Sequence, residues 1–339
     1  MPINTIELAG KFVPILDDTY AAASLTADLD GSPELVREGA NANELIVPML
    51  DMQGLGDYDK DDGYANGAVK LKNQTIAADF DRGRMFSVDS VDEEEALGVA
   101  FGNLAGEFIR TKVVPEEDAV RFAKYSSAAK NKAVGTLTTG ADWVAAIRAG
   151  QTAMDDAGVP MEERYLFITP TGHGLITDMD TNKSRAIISE FAKIVKVPKN
   201  RFYTAIEQLD GVTDGEKEGG YKVYAKHYAK CASTDTGAMK VVATGAADGQ
   251  INVADVTPLV DASYTPVAND YVCAVEGKEL NFVIIQKRAV CQFAKHKKPK
   301  IVDPSVNQSA DAWKFGYRQV GVNSVYANKT AGVYAHSKA

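Results

Sequence analysis

Acidic residues at every second position, Asp57, Asp59 and Asp61, could hold a calcium ion through their carboxylates. An EF-hand loop needs glycine sixth and a bidentate glutamate twelfth, whereas here Gly63 is seventh and Ala68 twelfth. A solvated, self-repelling loop tip is the better reading. Asp248-Gly-Gln-Ile-Asn-Val-Ala-Asp255 resembles the back half of such a loop, but Thr244 and Ala246 stand where its front ligands belong. Ser127-Ala-Ala-Lys130 has the serine–lysine spacing of penicillin-binding enzymes and lacks their Ser-Asp-Asn and Lys-Thr-Gly elements. Cys291 and His296 could serve as nucleophile and base, yet nothing orients them, and a small cysteine on an apolar strand is ordinarily core. His173, between Gly172 and Gly174, reads as a structural or solvated turn residue. Gly54-x-Gly56 and Thr244–Gly249 lack phosphate-loop spacing. Four histidines and three cysteines (Cys231, Cys273, Cys291) show no zinc spacing and no disulfide framework. No catalytic, cofactor-binding or metal-binding set emerges, and the chain reads as a non-enzyme without cofactor.

What stands out instead is charge. Asp81-Arg-Gly-Arg84 places two guanidiniums around a glycine between strand segments, suited to bidentate carboxylate pairing. An ordinary turn with solvated arginines fits the spacing equally well. The net charge of −9 hides an asymmetry: residues 1–120 hold 24 acidic and 9 basic side chains, residues 121–339 hold 22 and 28. Gln286–Lys300 carries Lys287, Arg288, Lys295, Lys297, Lys298 and Lys300 without an acid. Such a cluster can serve nucleic acid, but overall acidity disfavours tight phosphate binding. Attraction between one end of the chain and the other end of a neighbouring copy is favoured, a head-to-tail contact that builds rings or lattices.

These residues need elements to position them. Residues 1–50 show little periodicity beyond a helix-like stretch near Asp17–Leu25. In 51–90 only seven of forty residues are Leu, Ile, Val or Phe, too few for independent ordering. Yet Val69/Leu71, Ile76/Ala78/Phe80 and Phe86/Val88 alternate with polar or small residues, the period of half-buried strands. A long hairpin-like arm with a turn-rich tip at 57–67 follows, and since an isolated hairpin is marginal in water, it should lie on a second subunit. Ser90-Val-Asp-Glu93 is a capping box, and Leu97, Phe101, Leu104 and Phe108 predict a helix of about 20 residues, roughly 30 Å long. Pro115 is expected to restart the chain into a second helix toward Lys130. Trp143, Ile147 and Met154 mark a third helix, and Arg164–Thr169 a buried strand stopped by Pro170. Ile187, Phe191 and Ile194 mark a further helix, Arg201–Ile206 a strand, Glu279–Val290 a core strand, and Val320–Tyr334 a final hairpin.

With 45% hydrophobic and 24% charged residues, a sizeable core is available. No apolar run approaches the ~18 residues of a bilayer span. The N-terminal residues lack a basic segment and carry Glu7, Asp17 and Asp18, so no signal peptide is expected. Together with the cysteine usage this predicts synthesis in a reducing cytosol and no membrane partner.

The chain resembles the major capsid proteins of tailed bacteriophages and prophages. The resemblance rests on blocks in the family's order: Gly63-Tyr-Ala-Asn-Gly67 running into Ala78-Asp-Phe-Asp-Arg-Gly-Arg-Met-Phe-Ser-Val-Asp89, then Asp92-Glu-Glu-Glu95 and Gly106-Glu-Phe-Ile-Arg110. Val113-Val-Pro-Glu-Glu-Asp-Ala-Val-Arg-Phe122, Glu163-Arg-Tyr-Leu-Phe-Ile-Thr-Pro170 and Val197-Pro-Lys-Asn-Arg-Phe202 follow, and then Asn307-Gln-Ser-Ala-Asp-Ala-Trp313 with Gly332-Val-Tyr-Ala-His336. The resemblance implies an α+β fold with an N-terminal arm (1–50) and an extended two-stranded loop (51–90). It further implies a peripheral domain with a long spine helix (91–140), an axial domain (141–275), and strands returning to the peripheral domain (276–339). A β-rich insertion at about 212–275 departs from the family's shorter pattern. The resemblance also implies a coat protein whose pentamers and hexamers form an icosahedral shell around packaged double-stranded DNA. A separate scaffolding protein, a portal and a decoration protein would be partners, with assembly in the bacterial cytoplasm and residence in the virion. Inter-subunit contacts are expected at Asp81, Arg82, Arg84, Glu94, Arg110, Lys295, Lys297 and Lys298. Alternatives are an encapsulin-type compartment around an enzyme cargo, a small α/β enzyme, and a calcium-dependent surface-binding module.

Overall fold

The computed structural model describes residues 24–31, 37–38, 44–52, 60, 69–77, 80–89, 106–224, 227–230, 239–240 and 271–339. Its strands in chain order begin with β1 (Arg37–Glu38), β2 (Glu44–Met52), β3 (Val69–Ala77), β4 (Phe80–Asp89), β5 (Asn131–Val134), β6 (Arg164–Ile168), β7 (Lys193–Lys196) and β8 (Ile206–Gln208). They continue with β9 (Tyr221–Val223), β10 (His227–Lys230), β11 (Met239–Lys240), β12 (Tyr271–Val275), β13 (Leu280–Gln286), β14 (Val290–Val302), β15 (Ala312–Val325) and β16 (Val333–Ser337). The helices are α1 (Val114–Ala128), α2 (Gly140–Asp156), α3 (Pro170–Asp178) and α4 (Asn182–Ser189).

The most apolar short run of the chain, Phe282-Val-Ile-Ile285, is the middle of a five-stranded sheet ordered β5-β16-β13-β6-β7. A strand covered on both faces has no reason to alternate, and here Phe282 to Ile285 are fully buried. Val283, Ile285 and Phe167 pack on one face with Phe122 and Tyr125 of α1. Phe282, Ile284, Leu166 and Ile168 pack on the other with Trp143, Ile147 and Met154 of α2, Ile176 of α3 and Ile187 of α4. A second sheet, β14-β15-β4, runs twelve residue pairs along its β14–β15 seam and ten along its β15–β4 seam. Phe315 and Tyr317 of β15 cover Ile109 and Val114 at the start of α1. β2 and β3 form a hairpin of nine paired positions. Among the described residues of 212–275, β10, β12 and β11 share a small sheet, and β9 pairs with β8.

Several expectations are corrected. The paired arms of the hairpin begin at Glu44 rather than 51, and Phe86 and Val88 leave it: β4 pairs with β15 of its own chain. Pro115 does not restart the chain, because helix runs unbroken from Gly106 to Ala128 through a π-turn at Ile109–Val113. There the Val114 N–H reaches back to the Ile109 carbonyl, so the wider turn absorbs the amide that Pro115 lacks. The capping box at Ser90 lies outside the described residues. Pro170 starts α3 rather than merely stopping β6, with the Thr169 hydroxyl accepting the Gly172 N–H at 3.3 Å, so His173 is helical. Ile187, Phe191 and Ile194 do share one core, but from three elements: α4 ends at Ser189 and Ile194 belongs to β7, parallel to β6. Arg201–Ile206 holds a 3₁₀ turn end and a single bridge, Tyr203 to Glu279, instead of a strand. Val320–Tyr334 is no hairpin, since β15 ends in the long sheet and β16 pairs with β13 and β5. The central sheet thus draws strands from both sides of the expected boundary at 276.

α3 approaches α2 so closely that a Cβ on Gly172 would lie 2.4 Å from the Trp143 ring. Gly172→Ala should gain at most about 1 kcal/mol of helix propensity and lose about 1–3 kcal/mol to overpacking against an indole that cannot withdraw. A lower urea midpoint than wild type is expected, and a higher one would place the ring elsewhere.

Candidate subunit interface

The Asp81-Arg-Gly-Arg84 motif is neither a turn nor a set of free arginines. It lies mid-strand in β4, with Asp81, Gly83 and Met85 on one face and Arg82 and Arg84 on the other. Glycine is required at 83 because a Cβ there would sit 2.8 Å from the Tyr317 carbonyl oxygen. Asp81 accepts two hydrogen bonds from Arg318, at 2.9 and 2.6 Å, which hold its carboxyl below the usual range. Arg82 donates to Glu116 Oε1 at 2.8 Å and to the carbonyls of Leu209 and Gly220 at 2.7 and 3.2 Å. Arg84 donates to the carbonyls of Glu218 and Lys217, both at 2.8 Å. Two guanidiniums therefore strap the loop between β8 and β9 onto β4. That loop turns through left-handed glycines, and Gly219 leaves room for Arg84 that a Cβ would reduce to 2.8 Å.

The remaining expected contact residues are spread out. Arg110 pairs with Glu107 one turn back at 2.7 Å, on the helix surface. Lys295, Lys297 and Lys298 lie on β14, opposite or beside Val320, Gln319 and Arg318 of β15. Glu94 lies outside the described residues. So Asp81, Arg82, Arg84 and Arg110 all have partners within their own chain. The calcium-like runs at 57–61 and 244–255 also lie outside the described residues. Cys291 is buried beside Ile76 and Val322, and burial pushes its thiol up, whereas His296 is exposed on the same strand. Among the described residues no three metal-ligating side chains converge.

Sequence reasoning missed the polar post at the heart of the fold. Glu116, Glu117 and Asp118 read as acids at a helix start, but Glu117, Asp118 and Arg121 are buried. Asp118 accepts from Thr26 Oγ1 (2.9 Å), Leu25 N (3.2 Å), Ser24 Oγ (3.3 Å) and Arg201 Nη1 (3.3 Å). Arg121 donates to Glu117, to Thr26 Oγ1 at 2.8 Å and to Asn323 Oδ1 at 2.9 Å. Gln292 donates to the Thr26 carbonyl and to Asp30, and accepts from Tyr125. No residue type marked them out: burial runs from Glu117 to Ala123 whatever the side chain, because α1 is packed on most of its circumference.

No family model matches the chain, and no curated protein matches it. Solved structures do. A chain from Gordonia phage Cozz is 10% identical at a TM-score of 0.52, with 93% of this chain and 86% of that one covered. A chain from Mycobacterium phage Che8 is 12% identical at 0.49, covering 92% and 90%. One from the capsid structure of the cyanophage P-SCSP1u is 14% identical at 0.47, covering 89% and 85%. At these identities the likeness is one of fold. The chain shares its fold with the Gordonia phage Cozz chain, and its mixed helices and sheets agree with the α+β class that the sequence blocks implied.

Two outcomes follow from the site. Arg82→Ala strands Glu116, which is mostly buried, and frees two loop carbonyls. A loss of about 1.5–3 kcal/mol is expected, with faster amide exchange confined to 206–223; unchanged exchange there would dissolve the strap. Burial raises the carboxyls of Asp30, Glu116 and Asp118 above their ordinary values despite the neighbouring arginines. Groups so raised take up protons on folding, so their contribution to stability grows as pH falls from neutral toward the ordinary carboxylate range near ~4. Asp81, Asp142 and Asp210, which are lowered, act only below that range, while half-buried His173 and buried His336, both lowered by desolvation, oppose the trend. Measured as a difference, wild type should gain on Glu116→Gln between pH 7 and pH 5, and a flat difference would refute the raised carboxyl.

Proposed function

We propose that this chain is the major capsid protein of a tailed phage or prophage, a coat protein whose copies form pentamers and hexamers of an icosahedral shell. The observation that carries the reading is the union of that fold with a nine-pair hairpin whose described contacts to its own body lie near its base. Among its described side chains, Ile76 near the base enters a core cluster, with Cys291 and Val322, while Lys70 and Thr75 are exposed. Gln74, also near the base, takes the Ala327 N–H at 3.1 Å. A nine-pair hairpin held at one end gains footing by lying on a neighbouring copy.

On this reading the hairpin is the extended loop, and the helix ending in α1 is the spine. The long sheet belongs to the peripheral domain, and α2 to α4 with β6 and β7 belong to the axial domain. The shell holds double-stranded DNA without reading its sequence, its acidic chain suiting a container that must release its contents. A scaffolding protein, a portal and a decoration protein complete the set of partners, the chain resides in the virion, and it performs no catalysis.

Expressing the chain alone and with a scaffolding protein of a tailed phage tests the reading by negative-stain microscopy and nuclease-protected DNA content. Closed shells of uniform size are expected. A monomer under every condition would end the proposal, and shells filled with an enzyme instead of DNA would replace it with the nanocompartment alternative.

A further inference from the structure

The loop from α2 to β6 is a clamped knob. Gly158 ends the helix in the left-handed region, and the chain turns through Pro160 and Met161 to Glu163, whose φ of 57° is one that residues with a side chain rarely adopt. Such a conformation persists only where its surroundings over-determine it. Here Arg164, 3% exposed, donates to the Pro160 carbonyl at 2.9 Å, the Val159 carbonyl at 2.5 Å and Asp155 Oδ1 at 2.7 Å. From the other side the Lys287 N–H donates to the Glu163 carbonyl at 3.0 Å, and Arg288 donates to the Glu163 carboxylate at 3.0 Å. All this order presents Met161, 65% exposed, at the tip. Of the four acids around it, Asp155 and Glu163 are paired, whereas Asp156 and Glu162 are exposed and meet no cation among the described residues. The knob is therefore a preformed apolar tip with unspent negative charge beside it.

The complementary surface is a pocket of about 270 Å³ at the C-terminal end of α1. It is smaller than the ~300–1,000 Å³ of most small-molecule sites and suits a single large side chain. Ala205 and Ala335 give it apolar lining, and Ser127 and Ser337 lie at its edge. Of its two charged residues, Glu276 is matched by Lys278 at 3.6 Å. Lys132 donates to the Ser127 carbonyl at 2.6 Å and meets no acid among the described residues, while partial burial pushes its ammonium down. An ammonium has three donors, so Lys132 keeps capacity for an incoming carboxylate. Knob and pocket cannot meet within one chain. Ser337 pairs with Leu280 at one end of β13, and Arg164 pairs with Gln286 at the other. The seven residues of β13 set these ends about 20 Å apart.

We propose that the Met161 knob of one copy enters the pocket beside Lys132 of a second copy, with Met161 against Ala205 and Ala335 and Glu162 paired with Lys132. The inference rests on the shell reading and adds to it a contact in which the hairpin takes no part. Each copy gives the knob at one end of its central sheet and receives its neighbour's at the other, so the contact is heterologous and runs on from copy to copy. It also accounts for a clamped loop whose only uncovered apolar group is its tip, and for a partly desolvated lysine without an acid.

The test co-expresses two versions of the full chain, one carrying Met161→Cys and the other Ser127→Cys, and treats them with a short bismaleimide. Neither version holds both new cysteines, so a crosslinked peptide joining positions 161 and 127 must span two copies. It is expected in particles and absent from unassembled subunits. Glu162→Lys and Lys132→Glu should each cut particle yield several-fold, and the double swap should restore most of it. Met161→Ser should lower the yield as well, and Met161→Leu should keep it. All four positions are exposed, and the thermal midpoint of the unassembled subunit checks that the fold is unchanged. Particles lacking the link, a link from position 127 to the scaffolding protein instead, or yields that ignore the swaps would each overturn the contact and leave the shell reading standing. Wild-type chain that forms no particle under any condition would overturn the shell reading, and the contact with it.

Discussion

Fewer than two turns of helix carry the structural burden of this chain. Glu116, Glu117, Asp118 and Arg121 fall within six residues of α1, and the last three are buried. A buried carboxylate costs several kcal/mol unless its geometry is saturated with partners. Here each acid meets that condition by reaching a different part of the chain. Asp118 reaches the 24–26 segment and Arg201, Glu116 reaches β4 through Arg82, and Glu117 works through Arg121 to Thr26 and Asn323. Apolar residues of the same volume would pack about as well, but they would not tell four separate segments where to sit. The polar post supplies that discrimination, and breaking any one arm leaves a buried charge that only the native arrangement can satisfy.

The central sheet was legible because its signal is one of amount. Phe282–Ile285 is the densest apolar run in the chain and became the strand covered on both faces, while the strand from Arg164 emerged from an apolar run stopped by Pro170 and the helix at Trp143–Met154 from its spacing. The failures share a cause. Ile187, Phe191 and Ile194 satisfy helical spacing, yet the core that collects them is built by tertiary convergence, which spacing on one chain cannot distinguish from a single helix face. Pro115 carries a strong local stop signal that a π-turn neutralises, and a wider turn leaves no mark in residue types. The pairing of β15 with β4 joins residues more than two hundred positions apart, and period two shows that strands exist, never which strands meet.

The charge set on β4 was legible in composition and illegible in detail for the same reason. Asp81, Arg82 and Arg84 were recognisable as a concentrated, geometrically demanding charge set. Their targets were not, because Arg82 and Arg84 spend most of their donors on main-chain carbonyls of 209–220, groups present at every position and invisible in a sequence. What a sequence shows is a donor's need; what it hides is whether the acceptor belongs to the same copy.

That distinction divides the surface of the molecule physically. Charges satisfied within the chain, such as Asp81 with Arg318 and Arg82 with Glu116, are unavailable as free attractors, and their function is to fix the long sheet and its strap as a rigid platform. Rigid platforms bind by presenting shape already formed, so little ordering entropy is spent on the receiving side. The hairpin is the complementary case, a nine-pair ribbon joined to the body near Ile76 and Gln74, with a tip rich in acids and tyrosine and poor in core residues. On the proposed reading the contact is heterologous: each copy gives with its hairpin and receives with another surface. Such contacts propagate until geometry closes them. On the proposed reading, closure into a shell depends on the angle at which the hairpin leaves the body, and the buried charges of α1 fix the body from which it leaves.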